Sequence, residues 1–180
     1  MITSEGEATA LHRKYGSNER IIEHCRTVAK AAMALAEEFE KRGYGVDERA
    51  VFVAAMLHDI GRSRVQTVSH GVEGASIAEK EGAGKKVAEI IQRHVGAGIS
   101  PEEAKSLGMP ALDYIPRTLE ERIVCFADKM VDGVKVRPFE EEVKRFTAKE
   151  HDVARLLALR ESLREELGED PERAVFDNVK

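Results

Sequence analysis

The chain has 180 residues, enough for one ordinary domain with a substantial buried core. Hydrophobic residues make up 42% and charged residues 34%, with Trp absent and aromatics at 5%, a balance that favours an all-α globule over a β-sandwich. Net charge is −5 with basic residues interspersed among acidic ones, so no nucleic-acid-binding surface is indicated.

In chain order, the opening segment is polar, and His12, beside Arg13 and Lys14, is expected to be solvated. Ile21, Cys25, Val28, Ala32, Leu35 and Phe39 recur every three or four residues, which predicts an amphipathic helix over about 18–41. Gly43-Tyr44-Gly45 breaks it, and Asp47 is a candidate N-cap for the next helix. That helix carries the most apolar run in the chain, Ala50 to Leu57, and closes on His58-Asp59-Ile60-Gly61. A polar loop from Arg62 to Ser69 leads to His70 and a helix through about Lys80.

Gly82-Ala83-Gly84 precedes a helix over Lys85–His94, with Val87, Ile90, Ile91 and His94 on one face. Ser100-Pro101-Glu102-Glu103 and Thr118-Leu119-Glu120-Glu121 are capping boxes, the second opening a helix predicted through about Lys135. Residues 132–146 are expected to be loop. Thr147 to Glu150 looks like a third cap, starting a charged last helix to about Leu167 with His151 solvated in its first turn. No strand pair is expected.

No apolar stretch approaches the ~20 residues a membrane span needs, and the start of the chain lacks a basic region followed by an apolar core. Cys25 and Cys125 have no metal or redox spacing and are expected to be reduced core residues of a cytoplasmic protein.

Six side chains stand out from this pattern. Ending the most buried helix on an imidazole and a carboxylate costs several kcal/mol, roughly 2–7 for an unpaired polar group, and a cation removes that cost. His58 and Asp59 lie about 100° apart on a helix, but at its end both can turn to one site, with Gly61 as the exit. The negative end of the helix dipole favours a cation there. His24 and Asp128 sit on inward helix faces, and Asp is almost never buried unpaired. His70 and His94 lie at helix ends.

Four imidazoles and two carboxylates form a donor set for Mn, Fe, Co, Ni, Zn or Mg and exceed the needs of one catalytic ion. They suit two divalent metals: His24, His58, Asp59 and Asp128 around one, with Asp59 bridging to a second held by His70 and His94. Arg62, directly after the motif, is a candidate phosphate contact, since its fork matches phosphate bidentately, and Lys129 is another. Glu73, one turn after His70, reads as a surface glutamate that could alternatively orient water.

The order His24, His58-Asp59, Asp128 resembles the HD superfamily of metal-dependent phosphohydrolases. Ile60-Gly61 matches its HDIG subgroup, and His70 and His94 match the extra histidines of its dinuclear members. The similarity spans about residues 17–137 and is closest in layout to small stand-alone HD proteins of archaea and bacteria. It implies a single HD domain: an all-α helical bundle of about five core helices, here with a C-terminal helical extension over about 147–180. It also implies hydrolysis of a small phosphoester by a metal-activated water, on a nucleotide phosphomonoester or a cyclic phosphodiester. Asp59, Arg62 and Lys129 would carry the chemistry. The expected partner is a small phosphorylated, nucleotide-like substrate, with neither membrane nor nucleic acid, and a homo-oligomer is compatible with the reading. Substrate choice should lie in the loops at 62–69, 95–117 and 132–146, with Lys135, Arg137 and Lys144 as charges there. Two alternatives remain open: a non-catalytic nucleotide or metal sensor, and a di-iron oxygenase of HD type.

Overall fold

In the computed structural model, residues 2–149 and 152–179 are described. The chain is all-α. Its helices are α1 (Glu5–Lys14), α2 (Glu19–Lys41), α3 (Glu48–Leu57), α4 (His70–Lys80), α5 (Lys85–Gln92), α6 (Pro101–Ser106), α7 (Leu119–Lys129), α8 (Phe139–Ala148), α9 (Val153–Leu167) and α10 (Pro171–Asn178). A 3-10 turn, Ile60–Ser63, links α3 to the α4 approach. A two-residue hairpin follows α7, with β1 (Val131–Asp132) antiparallel to β2 (Lys135–Val136).

α2 is the spine. One face buries Ile22, Cys25, Val28, Ala32, Leu35 and Phe39, and α3, α7 and α10 pack along it. Each fully buried Leu, Ile or Phe contributes about 1.5–3 kcal/mol, so a face of this length holds the fold by burial rather than by helix propensity. α3 is apolar nearly all round, as a helix enclosed by α2, α5 and α7 must be. Both cysteines are free and buried.

Most caps act as their spelling implies. The Asp47 side chain accepts from the Ala50 amide, and Ser100 and Thr118 form reciprocal capping boxes with Glu103 and Glu121. Five expectations need correction. Ser4 and Glu7 also make a capping box, so the opening segment is helical and seats His12 in the core, fully buried. α7 stops at Lys129, and Gly133 with a positive φ turns the chain into the hairpin, a strand pair where none was expected. The span 132–146 is not all loop, because Phe139, Val143 and Phe146 give α8 an apolar stripe. Thr147 lies inside α8, and α9 is capped instead by Asp152, which accepts from the Arg155 amide. Finally, Gly61 is not where α3 exits: that helix ends at Leu57, and Gly61 sits inside the 3-10 turn. Glu150 and His151 lie outside the described residues. Among the described residues no helix is long and apolar enough to cross a membrane.

Candidate metal centre

The six sequence-selected residues converge. His24 comes from the second turn of α2, His58 and Asp59 from the end of α3, His70 from the first residue of α4, His94 from just beyond α5, and Asp128 from the last turn of α7. Three overlapping groups have ligand atoms all within 4.8 Å of one another: His24, His58 and Asp59; His58, His94 and Asp128; and Asp59, His70 and His94. Four imidazole rings run edge to face through the site, with centroids 5.2 Å apart for His24–His58, 4.8 Å for His58–His94 and 5.0 Å for His70–His94.

The local backbone explains how these ends meet. A Cβ on Gly61 would lie 2.0 Å from the His70 carbonyl oxygen and 2.6 Å from the Gly74 amide nitrogen. Gly61 is therefore demanded by close approach of α4 to the 3-10 turn, which brings His70 over Asp59. Gly71 lets α4 close on the His94 side, where a Cβ would meet Val95 Cγ2 at 2.9 Å.

The hydrogen bonds of the imidazoles are uniform and informative. His24 Nδ1 donates to Gly133 O at 2.8 Å, His58 to Ala55 O at 2.8 Å, His70 to Thr67 O at 2.7 Å and His94 to Ile91 O at 2.6 Å. A carbonyl only accepts, so every Nδ1 carries the proton, and every neutral ring is left with an Nε2 lone pair. Metal-binding histidines are oriented by this kind of backbone bond. His70 Nε2 and His94 Nε2 face each other at 3.1 Å, two lone pairs with no proton between them. His58 Nε2 is buried with no hydrogen-bond partner, although Asp128 Oδ1 is 3.4 Å away and Asp59 Oδ2 3.9 Å. A buried orphan acceptor and a facing acceptor pair are costly unless a cation serves them. The residues present fit a metal.

The carboxylates complete the picture. Asp59 Oδ1 lies 3.1 Å from His70 Nε2 and 3.6 Å from His94 Nε2, while its Oδ2 faces His58. Asp128 Oδ1 lies 3.1 Å from His24 Nε2. Burial would raise both carboxyls, but charge on His58 beside Asp59, and on Lys129 beside Asp128, holds them well below the usual carboxylate range. Burial, helped by repulsion from His58 and His70, pulls His94 down to about 4 against the pull of Asp59. Burial also opposes a charge on His58, yet Cys25, Asp59 and Asp128 hold its pKa well above the ordinary imidazole value. Without a cation a proton is drawn to that ring; a metal would displace it.

His12 is the contrast. Its Nδ1 pairs with Ser17 Oγ at 2.9 Å and its Nε2 with Met56 O at 2.8 Å, so both nitrogens are spent on structure and the expected solvated role is wrong.

The candidate phosphate contacts divide. Arg62 Nε donates to Asp59 Oδ1 at 2.7 Å, which leaves both its Nη groups, at the edge of a cleft, without a hydrogen bond to any described residue. Lys129 is no ordinary exposed charge: its side chain is 8% exposed and its Nζ donates to Asp128 Oδ2 at 2.5 Å. Glu73 pairs with Arg64 at 3.4 Å on the surface. The cleft, about 560 Å³, opens beside His70, Arg62 and Lys129 and is walled by the 95–99 loop and by α8 and α9. Lys135, Arg137 and Lys144 do not line it; the α8 residues that do include Arg145, Phe146 and Lys149. Sequence reading missed that wall because it took 132–146 for loop, although Phe139, Val143 and Phe146 are spaced at four and three.

A family model for the HD domain matches residues 21–131. An uncharacterized protein of Methanocaldococcus jannaschii is 45% identical over 129 residues, covering 72% of this chain and 76% of the relative. A tRNA (cytidine(56)-2′-O)-methyltransferase of Thermoplasma volcanium is 36% identical over 172 residues, and that of Picrophilus torridus 35% over 171. The chain spans 49% of the length of each methyltransferase, with 94% of its own residues in the match. Among solved structures, the HD domain of the L. monocytogenes phosphodiesterase PgpH is similar at 17% identity and a TM-score of 0.48, covering 83% of this chain and 92% of that one.

Proposed function

The chain belongs to the HD-domain family, and from that premise we propose that it is a metal-dependent phosphohydrolase acting on a small phosphoester. The observation that carries the reading is the common posture of the four histidines, each proton on Nδ1 and each Nε2 turned to one or both of two ionised carboxylates. We assign His24, His58, Asp59 and Asp128 to one divalent ion and His70, His94 and Asp59 to a second. Asp59 would serve both, because its two oxygens face different histidines. Bound there, such cations lower the pKa of water and neutralise charge that develops on phosphoryl oxygens.

The rest falls to the protein. Arg62 orients Asp59 through Nε and keeps a free fork of two Nη groups for phosphate oxygens at the cleft edge. Lys129 holds one oxygen of Asp128, fixing the other towards His24 and His58, and adds a positive charge to the cleft floor. The cleft falls in the ~300–1,000 Å³ range of ligand pockets, which suits a nucleotide-sized molecule better than inorganic phosphate alone.

Anaerobic purification with metal analysis, followed by a phosphate-release screen, tests this. The panel holds nucleoside monophosphates, 2′,3′-cyclic phosphates, cyclic dinucleotides, inorganic polyphosphates and, given the two methyltransferase relatives, tRNA. Expected is metal-dependent release that disappears in Asp59→Ala. Ferrous- and oxygen-dependent oxidation without phosphate release would overturn the reading, and so would nucleotide binding without turnover on any substrate.

A further inference from the structure

The unspent positive charge of the cleft comes from two separate elements, the 3-10 turn and the end of α8. Of the cations that line it, Arg155 is committed to Gly98 O, Glu103 and Asp152, at 2.7, 2.9 and 3.2 Å. Lys129 is committed to Asp128. Arg62, beside the metal-ligand residues, keeps its two Nη groups free. The remaining two, Arg145 and Lys149, stand one helical turn apart at the end of α8. Arg145 is half-exposed and its ion pairs are long, 3.6 Å to Asp132 and 3.3 Å to Glu142. Lys149 is exposed and makes no ion pair with any described residue. Val68, Val95, Ile99 and Phe146 give part of the wall an apolar surface, and the three carboxylates that also line it, Glu103, Asp152 and Glu142, pair with Arg155 or, at 3.3 Å, with Arg145.

A cleft with cationic groups from two separate elements and an apolar wall is built for a ligand with two anionic groups joined by a less polar body. We propose that Arg145 and Lys149 form a subsite for a second phosphate of the substrate, so that the protein selects small phosphoesters bearing another anionic group away from the scissile one. This rests on the phosphohydrolase reading above, with the scissile phosphate placed at Arg62, beside the candidate metal ligands. The substrate class is then a nucleoside bisphosphate or a molecule of like size and charge spacing. The competing explanation is structural: cations at a helix C-terminus also complement its dipole.

The two are separated by titrating adenosine 5′-monophosphate and adenosine 3′,5′-bisphosphate into the full chain in EDTA, by calorimetry, so that no turnover intrudes. Arg145→Ala, Lys149→Ala and the double variant are compared with wild type and with Lys85→Ala, which removes one exposed charge from α5. Wild type and Lys85→Ala should bind the bisphosphate about fivefold tighter or more, a preference that shrinks with added salt. The double variant should lose most of that ratio. Equal affinities in the wild type, no measurable binding of the bisphosphate, or a ratio that survives the double substitution while only the melting temperature falls, would each overturn the subsite. If the preference holds but nothing on the phosphate-release panel turns over with metal restored, the hydrolase reading fails while Arg145 and Lys149 stand as an anion subsite.

Discussion

At the scale of single residues, the site separates two kinds of buried histidine that sequence alone treats alike. His12 spends both nitrogens on fixed acceptors or donors, whereas His24, His58, His70 and His94 spend one and keep the other. Truncating His12 should therefore cost stability and not metal: His12→Ala should lower the unfolding free energy by about 2–4 kcal/mol, through a cavity and an orphaned Met56 carbonyl, while metal content stays at the wild-type ratio. Denaturant melts and metal analysis on the same sample check both halves. Asp59→Ala should do the reverse, with metal content and phosphate release both lost because one side chain faces both histidine groups. His94→Ala should lower the metal count by one ion and leave the fold intact; an unchanged count would remove His94 from the assignment. The ligand candidates were legible because each breaks an apolar face or closes an apolar helix. His12 was not, because a polar segment beside Arg13 and Lys14 gives no hint that α1 packs on α3.

At the scale of elements, close backbone approach and capping set where the ligands land. Gly61→Ala should be severe, since the added methyl meets backbone atoms of α4 rather than a side chain that can move. A loss of about 3 kcal/mol or more is expected, at the upper end of overpacking, and His70 should be displaced from Asp59. Thermal melts with metal analysis test it. Glu120 ties three elements together: it accepts from Lys86 Nζ at 2.8 Å and from the Asp47 amide at 3.2 Å. Burial would raise its carboxyl, but those partners hold it below its ordinary value of 4.5. A depressed carboxylate stabilises the fold above the unfolded pKa and loses that contribution as pH falls through the folded one. Glu120→Gln should thus be less stable than wild type near pH 7, by about 1–2 kcal/mol, and the gap should close well below pH 4.5. A gap that stays constant with pH would mean the carboxylate charge is irrelevant. The caps at Asp47, Ser100 and Thr118 were readable from their spacing, and Ser4-x-x-Glu7 was equally readable. Thr147 misled because a hydroxyl inside α8 bonds back to the Val143 carbonyl instead of capping a new helix.

At the scale of the whole molecule, the candidate ligands come from α2, the end of α3, α4, the segment after α5, and α7, so the centre joins elements from residue 24 to residue 128. The all-α class and the converging set followed from periodicity and helix ends; the α8 wall and the hairpin depended on tertiary packing that no single window displays. In such an arrangement, ligand binding and folding share one free energy, because the site does not exist in the unfolded chain. Facing Nε2 lone pairs on His70 and His94 and two ionised carboxylates nearby oppose closure of the bundle until a cation is bound. Metal at about 100 times its Kd should add about 2.7 kcal/mol by mass action. For a chain of this length that corresponds to a rise in Tm of roughly 5–10 °C. EDTA should remove the rise and readdition restore it. Asp59→Ala should show no response to either, because the shared carboxylate is gone. A Tm indifferent to metal in the wild type, with metal demonstrably bound, would mean that the helices reach their positions without help from the ion and that the four histidine postures are fixed by packing alone.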